Sequence, residues 1–89
     1  MTIYVFEAAT VTIEGVRLVI VRLPDVVLDN PMRRSVVMAR AEHEFGCSPL
    51  LLGEDKGRIV GNLHHKRLLE HGFDPTQAPW AQWNMADTD

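Results

Sequence analysis

The stretch IYVFEAATVTIEGVRLVIVRL, residues 3–23, decides the fold. It is rich in β-branched residues, and Gly15 at its middle favours the positive φ of a two-residue hairpin loop at positions 14 and 15. This loop sets a register that makes one apolar face and brings Glu7 opposite Arg22, an opposite-charge pair. The sequence therefore predicts an antiparallel hairpin with this register.

Two helices and a second hairpin are predicted after the first hairpin. Asn30 is a helix-capping residue, and the proline and the apolar spacing that follow it predict a helix over 31–45, ended by a glycine. Residues 49–53 and 58–61 are typical of two short strands joined by a glycine-containing turn. A second capped helix is predicted over 63–71.

This element order, β-β-α-β-β-α, predicts an α+β fold. We expect a two-layer ββαββα sandwich, in which each of two hairpins is followed by a helix. Residues 74–84 contain prolines and both tryptophans, and we expect them to wrap the domain and return aromatic side chains to its core. Residues 1–85 should form a single domain and residues 86–89 a frayed tail.

Part of the second half resembles a known family. The segments SPLLLG (48–53), RIVG (58–61) and LLEHG (68–72) resemble the C-terminal half of thioredoxin-like and glutaredoxin-like domains. There a proline-led strand, a hairpin, a glycine and a closing helix follow one another. The C-x-x-C or C-x-x-S redox motif of that family belongs to its first half and is absent from this sequence. The resemblance thus implies a fold, and a cis Ser48–Pro49 bond, without redox activity.

Length, charge and cysteine content indicate the cellular compartment and argue against membrane proteins and general polyanion binders. The chain has 89 residues, one cysteine and a formal net charge of −3. One cysteine forms no internal disulfide and no segment has the pattern of a secretion signal, so we expect a cytoplasmic protein. Arg17 and Arg22 interrupt the most hydrophobic stretch, which argues against a membrane span. The acidic balance argues against general polyanion binding.

The residue types of metal and nucleophilic sites are present in weak patterns. His43 and Cys47 lie four residues apart across a predicted helix end, which permits metal binding, but zinc sites usually have a second closely spaced ligand pair. Cys47 follows a helix C-terminus, where the dipole disfavours a thiolate. No serine has the setting of a nucleophile. We therefore predict no catalytic residue, no metal and no cofactor.

Residues 56–71 form the most basic part of the chain. An anion or an acidic partner could bind its cationic side chains, helped by the exposed N–H groups of the helix start at Asn62. A solvated helix face is the commoner meaning of such a cluster. The candidate binding residues here are Lys56, Arg58, Lys66 and Arg67.

Arg33 and Arg34 are further candidates for partner or anion binding. They stand in the first turn of a predicted helix, where cations are unfavourable. Pairing with the nearby Asp25 and Asp29 would offset that cost. An anionic ligand or an acidic partner is the alternative.

Three histidines on the second predicted helix are candidate pH-sensitive residues. His64 and His71 are seven positions apart and share nearly one helix face, while His65 lies on a neighbouring face. Such groups titrate near pH 6.5. The alternative is that they are ordinary, partly exposed helix histidines.

Three classes of function remain. We expect a small, non-catalytic cytoplasmic protein of bacterial type that acts as a protein-interaction or self-assembling module. A homodimer is the simplest form, because a hairpin edge is a pairing template and a two-fold contact doubles the available burial. The alternatives are a nucleic-acid accessory protein using segment 56–71 and a thioredoxin-like ligand-binding domain. A deep pocket would favour an enzyme if it held two or more of Glu42, His43, His64, His65 and His71.

Overall fold

The first hairpin forms with the predicted register. In the computed structural model, which describes residues 2–87, strand β1 (Thr2–Ile13) pairs antiparallel with strand β2 (Val16–Leu23). Glu14 and Gly15 both have positive φ, which is the two-residue turn that matches strand twist. Glu7 lies opposite Arg22, and their charged groups are 3.2 Å apart.

The helices also begin where the capping residues predict. The Asn30 side chain accepts hydrogen bonds from the N–H groups of Met32 and Arg33, and Gly46 ends the helix with φ of 75°. Asn62 accepts from the N–H of His65 in the same way. The remaining elements are α1 (Asp25–Leu28), α2 (Pro31–Phe45), β3 (Leu50–Gly53), β4 (Ile59–Val60), α3 (Leu63–Gly72) and β5 (Ala81–Asp87).

The strands form one mixed five-stranded sheet in the order β4-β3-β2-β1-β5. β2 and β3 are parallel, and the other neighbours are antiparallel. A parallel pair needs a crossover connection, which α1 and α2 supply. The sheet therefore joins the two predicted hairpins into one α+β domain.

The C-terminal segment ends in a strand where a wrap and a frayed tail were expected, while Trp80 and Trp83 pack against the core as predicted. β5 pairs with β1 from Ala81 opposite Ala8 to Asp87 opposite Thr2. Ala86 and Asp87 therefore belong to the sheet, and their strand pairing replaces the predicted fraying. Residues 88 and 89, the rest of that predicted tail, lie outside the described residues.

The two main helices lie on opposite faces of the sheet, so the expected two-layer arrangement is replaced by three layers. On one face Val37 and Ala41 of α2 pack in a cluster with strand residues that include Leu23. On the other face Leu68 and Leu69 of α3 pack in a second cluster. Residues 18–21 of β2 are all buried because alternate side chains enter the two clusters.

The likeness to thioredoxin-like domains is not confirmed. Pro49 precedes β3, the β3–β4 hairpin follows, and Gly61 leads to α3, so the expected local order is present. The Ser48–Pro49 bond is trans, as are the other peptide bonds within residues 2–87. None of the helices in that range has the length and apolar character that crossing a bilayer requires.

Candidate functional site

Arg58 forms salt bridges with two aspartates of the same chain. Its guanidinium lies 2.6 Å from a carboxylate oxygen of Asp29 and 3.4 Å from one of Asp25. The hydrogen bond to Asp29, followed by the two negative charges, raises the pKa of Arg58. The prediction that Asp25 and Asp29 pair with Arg33 and Arg34 is therefore wrong. The reason is that α1 lies beside the β3–β4 turn, which carries Arg58 to these carboxylates.

Asp25 also holds the backbone of that turn. It is only 8% exposed, and its Oδ1 accepts a hydrogen bond of 3.1 Å from the Asp55 N–H. Gly53 leaves the room for this contact, since a Cβ there would lie 2.5 Å from Asp25 Oδ1. Asp25 thus stabilises the β3–β4 turn at the β4 end of the sheet.

Arg33 and Arg34 have uncharged partners. Arg33 donates to the Tyr4 hydroxyl, and its guanidinium carbon lies 5.5 Å from the centre of the Tyr4 ring. Arg34 donates to the Leu28 carbonyl oxygen at 3.3 Å. Neutral acceptors and an aromatic face thus stabilise these cations in the first turn of α2.

The other basic candidates lie apart from these arginines. Lys56 is exposed in the β3–β4 turn, whereas Lys66 is half-buried and Arg67 exposed on α3. The six basic residues predicted to bind a partner or an anion therefore do not converge on one surface. This dispersal follows from the fold, because α2 and α3 carry their basic residues on opposite faces of the sheet. Arg34 and Arg58 do come near one another, since both contact residues 25–29.

Two of the three candidate histidines share a cleft. His64 and His71 line an open cleft of about 250 Å³ together with Glu14 and Arg67. His65 lies outside this cleft, with its ring centre 6.0 Å from that of His64. The predicted common face of His64 and His71 is confirmed, although both side chains are exposed to solvent. The arrangement is a shallow surface and not the deep pocket that would favour an enzyme.

The residues near the end of α2 do not gather around a metal position. Glu42 accepts a hydrogen bond of 2.6 Å from the Ser48 hydroxyl, and His43 is exposed. Cys47 is a half-buried free thiol. Within residues 2–87, no three histidine, cysteine, aspartate or glutamate side chains are grouped as metal ligands.

The feature that sequence reasoning missed is the outer edge of β5. β5 has seven residues, pairs with β1 along its whole length, and is the last strand of the sheet on that side. In an antiparallel edge strand, every second residue points its N–H and C=O groups away from its neighbour. Throughout the described part of the chain, no backbone group outside the β1–β5 ladder bonds to β5.

The face of the sheet beside this edge is uncovered on the α3 side. Ile3 and Val5 of β1 are 62% and 61% exposed. They are paired with Ala86 and Asn84 of β5, so these four side chains share one face. α3 packs against the other end of β1, near Ile13. We call Ile3, Val5, Gln82, Asn84 and Ala86 the open face.

Aromatic contacts hold β5 in place from the other side of the sheet. The ring of Trp83 lies 5.5 Å from that of Phe45 on α2 and 6.1 Å from that of Phe6 on β1. Trp80, just before β5, packs instead on the α3 side, against the second cluster, and its indole N–H donates to the Pro75 carbonyl oxygen at 2.8 Å. The free edge is therefore a fixed strand, so little ordering is needed when a partner binds.

The fold and this site define a mixed-sheet α+β domain with one long free strand edge. Comparison of the chain with protein-family models, curated proteins and solved structures finds no match. Its function is therefore inferred from the geometry of residues 2–87.

Proposed function

We propose that the protein is a non-catalytic interaction module of the cytoplasm whose partner is a second copy of the same chain. The observation that carries this proposal is the free edge of β5. The chain has one cysteine, Cys47, and so forms no internal disulfide, which supports the proposed cytoplasmic location.

The β5 edge lacks the features with which proteins prevent edge-to-edge pairing. Protected edges are usually very short, bulged, or marked by charged residues, especially lysine, or by proline. β5 has the sequence AQWNMAD, with no lysine or proline and one charged residue at its last position, and its register with β1 is continuous over seven pairs. An edge of this length and composition is a template for another strand.

The open face and the size of the chain also support self-association. A chain of 89 residues buries a small fraction of its surface compared with larger domains, so its stability margin is narrow. Ile3 and Val5 place apolar surface next to the β5 edge. A two-fold contact uses the same surface on both copies, so each residue contact occurs twice and its contribution to the free energy of association is doubled.

The mass of the full chain in solution tests this proposal. Size-exclusion chromatography with light scattering at micromolar concentration should give twice the chain mass of 10.1 kDa. The result should change little between low and high salt, because residues 81–86 carry no charge. A mass of 10.1 kDa under these conditions would contradict the proposal.

A nucleic-acid accessory function is the second candidate, and one observation favours it. Lys66 and Arg67 lie on α3, and Arg67 shares its cleft with His64 and His71. Nucleic-acid binding through these cations would weaken as salt rises. The test is binding by the parent and by the double variant Lys66→Glu, Arg67→Glu at two salt concentrations. Absence of salt-dependent binding by the parent would exclude this function.

A ligand-binding domain of thioredoxin-like type, without redox activity, is the remaining alternative. Its support is the local order of Pro49, the β3–β4 hairpin, Gly61 and α3. The groove beside Phe45, Trp83 and Glu44, of about 440 Å³, is the largest candidate volume for a small ligand among the clefts described. A screen by ligand-induced melting shifts tests it, since a ligand of the folded state raises the melting temperature.

A further inference from the structure

We infer that two copies pair their β5 strands antiparallel about a two-fold axis at Asn84, which joins their sheets into one continuous sheet. This inference rests on the proposed self-association and adds its geometry. The partner is a second copy of this chain, and the contact is the outer edge of Ala81–Asp87.

The length of β5 selects the position of the axis. A two-fold axis perpendicular to the sheet keeps equivalent faces on the same side, so residues pair only with residues of the same face. Asn84 is the middle residue of Ala81–Asp87. An axis at Asn84 therefore pairs the strand along its full length, with Ala81 opposite the partner's Asp87.

On the α2 side, this register pairs apolar side chains. Trp83 lies opposite the partner's Met85, and Met85 opposite the partner's Trp83. Met85 is 4% exposed and already lies within its own cluster, on which the half-buried Trp83 also packs. The exposed part of each Trp83 ring therefore lies at the edge of the partner's α2-side cluster.

On the open face, the register pairs polar groups that complement one another. Asn84 is exposed, and its Oδ1 accepts a hydrogen bond of 2.9 Å from the Gln82 amide. Its own amide N–H groups remain available, and an amide carries both donors and an acceptor. Asn84 and the partner's Asn84 can therefore bond to each other at the axis.

The charges in this register are compatible with a two-fold contact. Asp87 is the only charged residue of β5, and like charges placed directly opposite are destabilising. With the axis at Asn84, Asp87 is opposite the partner's Ala81. No like-charged pair forms across the axis within the strand.

Both neighbouring registers are poorer. An axis at Met85 would pair only residues 83–87 of the strand. An axis at Trp83 would place Asp87 opposite the partner's Pro79, which has no N–H to donate to a ladder. It would also leave Trp83 facing the partner's Trp83, with Met85 facing the partner's Ala81. The axis at Asn84 gives the longer ladder and the closer match of side chains.

Cysteine cross-linking of the full chain tests the register. In a Cys47→Ala background, Asn84→Cys places the two thiols directly opposite, within reach of a short bifunctional thiol reagent. Gln82→Cys places its two thiols about 13 Å apart along the strand. We expect the Asn84→Cys chain to cross-link at least about tenfold faster than the Gln82→Cys chain, and an equal mixture of Gln82→Cys and Ala86→Cys chains to form the mixed dimer.

A charge variant gives a readout that needs no cross-linker. Asn84→Lys places two cations opposite each other and should raise the dimer dissociation constant about tenfold or more. Thr10→Lys is the matched control, since Thr10 is an exposed residue of β1 beyond the β5 ladder and lies opposite the uncharged Val19. It should leave the constant unchanged, and thermal melts of both variants show that the monomer still folds.

The outcomes separate the two proposals. A dimeric parent in which Asn84→Cys cross-links no faster than Gln82→Cys, or in which Asn84→Lys dimerises normally, would overturn the axis at Asn84 and leave self-association intact. A parent that is monomeric at the concentrations used would overturn both.

Discussion

The two edges of the sheet differ in length and in how they are closed. β4 has two residues, and the turn that leads to it is fastened by Asp25 and Arg58. β5 has seven residues, and within residues 2–87 nothing bonds to its outer backbone groups. A very short edge offers few pairing groups, whereas a long flat one offers a row of them. The comparison supports the proposal that β5, and not β4, is the edge used for interaction.

The edges also differ in the forces that hold them. The β4 end depends on a mostly buried carboxylate, Asp25, with a backbone N–H and a guanidinium as its partners. The β5 end depends on Trp83 and its packing against Phe45 and Phe6. At the β4 end, hydrogen bonds and a salt bridge occupy the polar groups of the turn. At the β5 end, apolar packing holds the strand and leaves its outer N–H and C=O groups free for another strand.

Removal of the Trp83 ring, which packs β5 against the rest of the fold, should have the largest effect on the free energy of unfolding. Trp83→Ala should lower the free energy of unfolding by about 3 kcal/mol, the lower end for a large aromatic, because Trp83 is only half-buried. Urea unfolding at one fixed protein concentration measures it, since dimerisation also contributes to stability. Trp83→Phe is the control and should recover most of the loss. A loss below about 1 kcal/mol in the alanine variant would show that the ring does not hold β5.

Removal of the Asp25 carboxylate should have the next largest effect, at the opposite edge. Asp25→Ala leaves the Asp55 N–H without its acceptor and should cost about 1–2 kcal/mol in the same urea experiment. The dimer mass should not change, because the proposed interaction edge is β5 and not β4. Loss of dimerisation in this variant would break the distinction between the two edges.

Asp29→Ala is the matched comparison for Asp25 and should have a smaller effect. Asp29 makes the shorter contact to Arg58, 2.6 Å against 3.4 Å, but its side chain is 58% exposed against 11% for Asp25. Exposed ion pairs contribute little to stability because solvent screens them, so the burial of the carboxylate, and not its distance from Arg58, should decide the loss in unfolding free energy. A larger loss in Asp29→Ala than in Asp25→Ala would reverse this interpretation.

A substitution in the turn that leads into β5 should have the smallest effect on stability and none on the dimer. The Thr76 hydroxyl and N–H donate to Asp74 at 2.7 Å and 3.0 Å and lower the pKa of Asp74. This contribution to stability is present above the ordinary carboxylate pKa and is lost as pH falls through the lowered value. Thr76→Val should raise the pKa of Asp74 in a carboxyl NMR titration and leave the dimer mass unchanged. An unaltered titration would show that the hydroxyl does not stabilise the ionised form.

Local rules were enough to predict the first hairpin and the two long helices. Gly15 fixes the loop of the hairpin, and Asn30 and Gly46 mark the ends of α2. Each of these signals acts between residues that are close in the chain. The register around Glu7 and Arg22 followed for the same reason.

The parts that could not be predicted depend on contacts between distant residues. β5 has no β-branched residue, and it is a strand because it pairs with β1 from the other end of the chain. Arg58 is 33 residues away from Asp25, which it contacts. The uninterrupted apolar run at residues 18–21 was the one local signal for a strand covered on both faces.

Amide hydrogen exchange across a dilution series tests the contrast between the edges most directly. As the protein concentration rises through the dimer dissociation constant, alternate amides of Ala81–Asp87 should gain protection, because their outward N–H groups acquire partners. The amides of Ile59 and Val60 in β4 should exchange at unchanged rates. Exchange in β5 that is independent of concentration, or protection gained at β4 instead, would contradict the assignment of β5 as the interaction edge.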